Sequence, residues 1–309
     1  MNVPEIFEQR SAFSFEIFPP KTDVGMEKLC GEGGVLDHLY ELNPDYISCT
    51  YGAGGTNVGK NLEVCDKIIK DGKTIPVTHF TCVANTKEGI KDQLQTYLDH
   101  GINHMLALRG DIPFGWTGTN GDLHYATELV SFVRKEFGDK FSIAVAGSPE
   151  GHIQCRSLDA DISFLKQKQD EGADFIMTQL CWDMDQFRRW MDKIRAAGIW
   201  MPVDVGIMPV LDAAATINMA LSRNGCVIPR ALAEIISKNW IFPNVFAPAE
   251  SEESIAAKKA SFKEAGMDYT IKLIDEYRAC GIDGIHLYAL NKWEDVTRLV
   301  KESGIKDLV

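Results

Sequence analysis

Eight short runs of apolar, β-favouring residues recur along the chain, and this repeat restricts the possible folds more than any other feature. Each run is almost continuously apolar, which is typical of parallel strands that are covered on both faces. Amphipathic helical segments separate the runs, and the first seven follow one another at intervals of roughly 30 residues. The predicted strands cover residues 13–18, 46–51, 75–82, 104–109, 142–146, 175–181, 202–208 and 284–290.

Alternating strands and helices form either a closed barrel or an open, doubly wound sheet. The even spacing favours closure, so the predicted fold class is α/β, a (β/α)8 TIM barrel. The interval before the last strand is longer and predicts extra helices near 229–239 and 251–279. Because no linker rich in Ser, Gly or Pro interrupts the chain, we expect a single domain over residues 1–309.

The predicted helices carry recognisable start and stop signals. Asn85 is placed to cap one helix, with Glu88 three residues further on, and Gly101 is placed to end it. Another helix is predicted to open at Ser157 and to stop at Gly172. Their apolar stripes indicate core packing and carry no functional information.

The charge of the chain argues against two classes of partner. Lys and Arg number 32 against 44 Asp and Glu, which gives a net charge of −12. Such a surface repels phosphate backbones and anionic lipids, so neither nucleic-acid binding nor a membrane role is expected. The N-terminal segment lacks signal-peptide features, no apolar run reaches the roughly 20 residues that span a bilayer, and no C-x-x-C pair occurs. We therefore expect a soluble, cytoplasmic protein with reduced thiols.

Polar residues that interrupt or directly follow the predicted strands indicate a functional site. In a TIM barrel the active site lies at the C-terminal ends of the strands, where these residues are expected to gather. A buried, unpaired carboxylate or imidazole costs several kcal/mol, so such residues need a partner or a function. The interrupting residues are Glu16, Thr50, His79, Arg109, Gly110, Asp111, Gln179, Asn291 and Lys292.

Each of these residues also has a structural interpretation. Glu16 could form a buried ion pair with Arg109 or Lys292, and His79 could be a satisfied core histidine. The turn at 52–56 resembles a nucleotide-binding loop but lacks the third glycine of the G-x-G-x-x-G pattern, because Asn57 occupies that position.

A metal-dependent lyase or aldolase is the alternative function for the polar residues at the C-terminal ends of the strands. Its ligands would come from His79, Asp111, His152 and His286. No H-x-H or H-E-x-x-H spacing preorganises these side chains, so the sequence predicts no metal site.

Seven segments carry a resemblance to a known family. They are 14–20 (SFEIFPP), 46–53 (YISCTYGA), 78–82 (THFTC), 107–111 (ALRGD), 149–152 (PEGH), 176–179 (IMTQ) and 288–291 (YALN). The first resembles the S-F-E-F-F-P-P signature of methylenetetrahydrofolate reductases, and the others resemble motifs of that family in the same order. The resemblance covers nearly the whole chain and implies the short form, a catalytic barrel without a regulatory extension. It implies a flavin-dependent reduction of 5,10-methylenetetrahydrofolate to 5-methyltetrahydrofolate.

The same resemblance implies roles for individual residues. Glu16 matches the general acid that acts near N10 of the folate, and burial is expected to raise its pKa. Asp111 matches an aspartate beside the flavin and pterin, where a negative charge stabilises a cationic intermediate. Gln179 matches the residue that hydrogen-bonds the folate ring system, and Lys292, directly after the last strand, is expected to contact the substrate.

The implied cofactor is FAD, with FMN as a lesser alternative. The positions that match FAD contacts are Thr50, His79, Arg109, Gly110, Asp111, Tyr125, Ala126, Ala146, His152, Asp161 and Lys168. Arg109 and Lys168 are suitable partners for a pyrophosphate. Ser148, Phe164 and Gln167 depart from the family pattern, so the resemblance does not specify how the adenine half of FAD is bound.

Two further departures from the family pattern leave the identity of the electron donor open. Ala215 and Met219 stand where the family usually has glutamine and phenylalanine near the nicotinamide. NADH or NADPH is the expected donor, and an electron-transfer partner protein is the alternative. A subunit that binds flavin or folate but works only within a larger complex also remains open, and the family's habit implies a homo-oligomer.

Overall fold

The computed structural model describes residues 2–51, 58–222, 225–239 and 250–305. In these residues eight parallel strands follow one another in chain order around a closed barrel, and the last pairs with the first. The predicted (β/α)8 barrel is therefore confirmed. The strands are β1 Ala12–Ile17, β2 Tyr46–Cys49, β3 Ile75–Thr81, β4 His104–Leu108, β5 Ser142–Gly147, β6 Phe175–Thr178, β7 Val203–Ile207 and β8 Gly284–Tyr288.

Helices connect the strands and surround the barrel. Two extra helices, α10 and α11, lie between β7 and β8, as the long last interval predicted. The described helices are α1 Val3–Gln9, α2 Asp23–Cys30, α3 Val35–Tyr40, α4 Val58–Asp71, α5 Lys87–Asp99, α6 Ala126–Phe137, α7 Leu158–Asp170, α8 Met184–Ala196, α9 Ala213–Leu221, α10 Arg230–Asn239, α11 Glu252–Ala279 and α12 Trp293–Ser303.

The helix caps agree with the sequence at one site and differ at another. Ser157 caps α7 as predicted, and its side chain accepts a hydrogen bond from the backbone of Ala160. Helix α5 is capped by Thr86, which accepts from Gly89, so the expected Asn85 cap is wrong by one residue. The Asn85 side chain instead accepts a hydrogen bond from Gln93, at 3.2 Å. Both residue types are good caps, and Asn85 is engaged by Gln93 of the same helix instead.

Helix α1 closes the N-terminal end of the barrel. Its residue Val3 is buried in a small apolar cluster inside the barrel, and the ring of Phe7 lies 5.2 Å from that of Phe175 on β6. The Val3 backbone also donates to Nε2 of His104 at 3.2 Å. Burial of a large apolar side chain contributes about 1.5–3 kcal/mol, so this plug is stable. The opposite, C-terminal end of the strands stays available for ligands.

The sequence also singled out a glycine-rich turn and predicted no membrane-spanning segment. The glycine-rich turn at 52–56 lies outside the described residues. Across the four described ranges, no helix is both long and apolar enough to cross a membrane.

Candidate active site

The interior of the barrel is apolar on one side and polar on the other. Strands β3 to β6 contribute the apolar residues Val77, Leu106, Ala144, Phe175 and Met177. Strands β1, β2, β7 and β8 contribute polar side chains that contact one another: Ser14, Glu16, Tyr46, Ser48, Asp204 and His286. Successive strand residues point to opposite faces, so Ser14 and Glu16 share one face of β1. The result is a buried polar column that reaches towards the C-terminal end of the barrel.

Glu16 lies at the upper end of this column, between two histidines. Its Oε2 atom is 3.5 Å from Nε2 of His79 and 3.9 Å from Nε2 of His286. The Ser48 hydroxyl oxygen lies 3.2 Å from the first nitrogen and 3.1 Å from the second. The Glu16 side chain keeps 21% of its surface exposed, so it can be reached from the mouth of the barrel. The alternative of an ion pair with Arg109 or Lys292 is wrong for the described structure.

The two histidines reverse the expected pKa shift of Glu16. Desolvation acts to raise this pKa, but the interaction with His286 and the charges of His79 and His286 outweigh it, so the net shift is downward. The expectation of a raised pKa is therefore wrong for the free protein, because it counted burial and not the imidazoles. Burial lowers the pKa of His79, and the charge of Glu16 acts in the opposite direction. Glu16 is consequently ionised in the free protein.

The polar column continues from His286 towards the N-terminal end of the barrel. Nδ1 of His286 lies 2.7 Å from the hydroxyl oxygen of Ser14, which donates to Oδ2 of Asp204 at 3.2 Å. The hydroxyl of Tyr46 donates to the same carboxylate oxygen. Asp204 has no exposed surface, and this burial raises its pKa to about 6. Hydrogen bonds thus join Asp204 through Ser14 to His286, whose Nε2 atom lies 3.9 Å from Oε2 of Glu16.

A cavity of about 850 Å³ opens beside Glu16 at the C-terminal ends of β2 to β5. This volume is within the usual range for cofactor and ligand sites. All eleven positions that the sequence predicted for the cofactor line it: Thr50, His79, Arg109, Gly110, Asp111, Tyr125, Ala126, Ala146, His152, Asp161 and Lys168. His79 belongs to the cavity wall and also contacts Glu16, so it joins the cavity to the polar column.

Three cationic side chains face the cavity. Arg109 donates to the Gln154 side chain at 2.7 Å, and Lys168 donates to the carbonyl of Ala146 at 2.9 Å. In the described part of the chain, no carboxylate forms an ion pair with Arg109 or Arg156. Burial lowers the pKa of Lys168, and the charge of Asp161 opposes that shift. These cations can therefore pair with an anionic ligand in an otherwise acidic protein.

Backbone geometry at Gly110 shapes the wall of the cavity. This residue has φ +88°, and an added Cβ would lie 2.7 Å from Cγ1 of Val83 and 3.0 Å from Cβ of Thr81. Only glycine adopts this conformation in so little space. The hydroxyl oxygen of Thr81, which also lines the cavity, is buried and has no hydrogen-bond partner among the described residues. The wall therefore allows a close backbone approach, which suits a bound cofactor.

The two predicted substrate residues lie outside this cavity wall. Gln179 directly follows β6 and is half-buried, and its backbone N–H donates to the carbonyl of Gly147 at 2.8 Å. Lys292 is the residue before α12 and is exposed. Both lie after the C-terminal ends of strands, on the same side of the barrel as the cavity. The structure gives neither side chain a hydrogen-bond partner that would assign its role.

Sequence reasoning missed several residues of the site. Gln154 and Arg156 line the cavity but belong to a loop, where no periodic pattern distinguishes them. Ser14 and Ser48 lie within the predicted strands, where a short hydroxyl side chain interrupts the apolar pattern less than a charged one. The period of two could have found them, since it places Ser14 with Glu16 and Ser48 with Thr50 on shared faces.

The residues considered for a metal do not gather. In the ranges the structure describes, no three His, Cys, Asp or Glu side chains are placed to hold a metal ion. His79 and His286 do come close to Glu16, but the hydroxyl of Ser48 lies between the two rings. This geometry suits proton transfer rather than coordination.

Comparisons with known proteins identify the family. The sequence profile of the family described as "Methylenetetrahydrofolate reductase" matches residues 3–304. Methylenetetrahydrofolate reductase 1 of Schizosaccharomyces pombe is 32% identical over 97% of this chain and 47% of its own length. 5,10-Methylenetetrahydrofolate reductase of Escherichia coli is 32% identical over 91% of this chain and 86% of its own length. The chain therefore spans about half the length of the fungal relative and most of the bacterial one.

A solved structure shares the fold at low identity. An uncharacterized protein from Clostridium thermocellum that binds two copies of 5-methyl-5,6,7,8-tetrahydrofolic acid superposes with a TM-score of 0.63 at 14% identity. The match covers 99% of this chain and 98% of the other. The profile match and the bacterial relative together decide the family, and this chain belongs to the methylenetetrahydrofolate reductase family.

Proposed function

We propose that this chain is a flavoenzyme that reduces 5,10-methylenetetrahydrofolate to 5-methyltetrahydrofolate, with FAD in the large cavity. One observation carries the proposal. The eleven predicted cofactor positions line one cavity, and one of them, His79, contacts the predicted acid Glu16. The family's activity is thus supported by a site in which cofactor and acid can meet the same substrate.

The cavity fits a flavin dinucleotide in shape and charge. Arg109, Arg156 and Lys168 offer positive charge to a pyrophosphate, and Gly110 allows the backbone to approach closely. The ring of Phe164 also lines the cavity and is 48% exposed, which leaves a face free to pack against an aromatic base. When bound, the flavin supplies the hydride chemistry. FMN has no adenine, so it would leave the end of the cavity at Phe164 empty, and we therefore favour FAD.

Glu16 is proposed to protonate N10 of the folate, which opens the five-membered ring to a methylene-iminium cation. General acid catalysis by a placed side chain contributes about 10²–10⁴-fold. Glu16 is ionised in the free protein and must take up a proton first. His79 and His286, at 3.5 and 3.9 Å, are the groups that can pass it. A bound substrate would cover the exposed part of Glu16, and this further desolvation favours the protonated acid.

The other proposed roles follow from position. Asp111 lies in the cavity wall, where its charge can stabilise the cationic intermediate. Gln179 and Lys292 lie after β6 and β8 on the same rim, and we assign them to the substrate. The folate-binding fold neighbour and the bacterial reductase support this substrate class by what they bind or are named for.

The electron donor is proposed to be NADH or NADPH, with a partner protein as the second candidate. Relatives from Arabidopsis thaliana and Zea mays are named as NADH-dependent reductases. Asp212 caps α9, which places Ala215 on its exposed surface and Met219 against the core. Alanine cannot hydrogen-bond a carboxamide and methionine offers no flat ring, which is the observation that keeps the partner protein open.

Two measurements on the purified protein test these proposals. A yellow protein with absorbance near 450 nm that turns over methylenetetrahydrofolate would support the flavoenzyme, and a colourless protein that binds no added FAD would refute it. Stopped-flow bleaching of the flavin then separates the donors. Fast, saturable bleaching by micromolar NADH or NADPH would exclude the need for a partner protein. Slow bleaching by both, beside rapid reduction by methyltetrahydrofolate, would favour the partner.

A further inference from the structure

Asp204 is a buried titratable group that the proposed reaction does not yet use. It lies on β7 with no exposed surface, and its Oδ1 atom has no hydrogen-bond partner among the described residues. Space for that oxygen depends on Gly284, where an added Cβ would lie 2.7 Å away from it. A buried carboxylate with one unsatisfied oxygen costs several kcal/mol. A packing role alone would be filled better by an apolar side chain.

The hydrogen bonds from Asp204 have a defined direction when its carboxylate is ionised. Tyr46 and Ser14 can then only donate to it, because a carboxylate accepts and does not donate. Since the Ser14 proton points to Asp204, its oxygen must accept from Nδ1 of His286, at 2.7 Å. His286 therefore carries its proton on Nδ1 and presents a lone pair at Nε2, where the hydroxyl of Ser48 can donate.

Protonation of Asp204 allows the opposite direction. Asp204 can then donate to Ser14, Ser14 can donate to Nδ1 of His286, and the proton of His286 moves to Nε2. This nitrogen lies 3.9 Å from Oε2 of Glu16. The protonated arrangement holds one proton more than the ionised one, and this proton comes from solvent. When Asp204 passes it to Ser14, Ser14 passes its own proton to Nδ1 of His286 and the Nε2 proton passes to Glu16. The chain then returns to the ionised arrangement, and Glu16 has gained one proton. The ring of Tyr46 lies flat against His286, with centroids 5.6 Å apart, and holds the imidazole in place for both states.

We infer that Asp204 is a positioning residue that sets, through the hydroxyl of Ser14, which nitrogen of His286 carries the proton facing Glu16. This inference rests on the proposed function, because it supplies the proton that Glu16 needs. The raised pKa of Asp204, about 6, brings its protonation within reach of neutral pH. The titratable groups near Asp204 are Asp45 and Tyr46 at β2, and His286 and Tyr288 on β8, and Tyr288 in turn lies near Glu16 of β1.

Nitrogen NMR of the purified protein, labelled with ¹⁵N-histidine and recorded with and without added FAD, tests the inference. In the wild type, the His286 proton should reside on Nδ1 at pH 8 and move to Nε2 as the pH falls through about 6. Asp204→Asn cannot titrate, so its His286 should keep one tautomer from pH 8 to pH 5. Ser14→Ala keeps the carboxylate but removes the bridge, and should also abolish the transition. His104→Gln is the control, since this buried barrel residue bonds to Val3 and should leave the transition intact.

The outcomes are distinguishable from failure of the proposed function, because the tautomer is read without turnover. The same His286 transition in Asp204→Asn as in the wild type would overturn the inference. So would a wild-type ring that gains a second proton with no change of tautomer. If Asp204→Asn does not fold, Ser14→Ala decides: a transition that persists without the bridging hydroxyl refutes the coupling. In a protein that does reduce folate, Asp204→Asn should also slow the folate half-reaction by about tenfold without changing flavin reduction.

Discussion

Oε2 of Glu16 lies 3.5 Å from Nε2 of His79, and the same imidazole forms part of the wall of the large cavity. One side chain thus contacts the proposed acid on one side and the proposed cofactor site on the other. This arrangement brings Glu16 next to the wall of the cavity.

Replacement of the acid should separate the two half-reactions. We expect Glu16→Gln to bind flavin and to be reduced by a suitable donor at the wild-type rate. Turnover of methylenetetrahydrofolate should fall by about 10²–10⁴-fold, because an amide cannot donate the proton that opens the ring. Stopped-flow kinetics of each half-reaction measures this. Glu136→Gln is the control, since that carboxylate pairs with Lys91 on the surface. Near-normal folate reduction would remove Glu16 from the mechanism.

The charge of Asp111 should tune the flavin. We expect Asp111→Asn to make the midpoint potential more positive, because the loss of a negative charge relieves repulsion against an anionic reduced flavin. Folate reduction should fall by at least about tenfold, because the cationic intermediate loses its partner. Spectroelectrochemical titration gives the potential. Asp122 lies in the same segment between β4 and α6, but its carboxylate accepts a hydrogen bond from the backbone of Lys87. The control variant Asp122→Asn should therefore leave the midpoint potential unchanged. An unchanged or more negative potential in Asp111→Asn would contradict the assignment.

The cofactor's phosphates can be located with two lysines of α7. Lys168 faces the cavity, whereas Lys166 pairs with Asp170 on the outside of the helix. Lys168→Met should weaken FAD binding by about 10–100-fold, as expected for a lost charge-assisted hydrogen bond. Riboflavin carries no phosphate, so Lys168→Met should bind it as tightly as the wild type does. The control variant Lys166→Met should bind FAD and riboflavin with wild-type affinity. Fluorescence titration of the apoprotein decides. Equal losses for FAD and riboflavin would place Lys168 away from the phosphates.

Gly110 should be more sensitive to a methyl group than Gly115. Both have positive φ, +88° and +84°, so alanine at either site costs about 1–2 kcal/mol of backbone strain. At Gly110 the added Cβ also meets Val83 and Thr81, whereas nothing lies within 4 Å at Gly115. Gly110→Ala should therefore lose a further 1–3 kcal/mol, roughly, of unfolding free energy and part of its flavin. Chemical denaturation and flavin content of both variants measure this. Equal effects at the two sites would argue against a tight wall at Gly110.

The stability of the protein should depend on the titration of Asp204. Burial raises its pKa in the native state from 3.8 to about 6, so between pH 4 and pH 6 the native protein holds a proton that the unfolded chain releases. The contribution of this group to the unfolding free energy therefore falls as the pH rises through this window. Asp204→Asn lacks this loss, so the variant should gain up to about 3 kcal/mol relative to the wild type between pH 4 and pH 7.

Urea unfolding of the two proteins across this pH range measures the difference. Ser14→Ala retains the carboxylate of Asp204, so its unfolding free energy should still fall as the pH rises through this window. A difference between Asp204→Asn and wild type that stays constant with pH would show that Asp204 does not titrate there.

Local patterns accounted for the elements of the barrel. The apolar run 75–82 predicted β3, which is Ile75–Thr81, and Ser157 marked the start of α7. These features depend on neighbouring residues in the chain, such as strand period and side-chain caps. At α5 the choice between Asn85 and Thr86 depended on a contact with Gln93 eight residues away, and the local pattern chose the wrong cap.

The amino-acid sequence by itself determined the order of strands and helices, the closed barrel, the family and the residue types at the rim. The tertiary structure alone decided which of these residues face one another. It placed His79 and His286 beside Glu16 and so lowered a pKa that burial alone would raise. It also joined Asp204, 190 residues from Ser14 along the chain, to the same polar column. Electrostatic interactions depend on distances across the barrel, and these distances are set by the register of all eight strands rather than by any one of them.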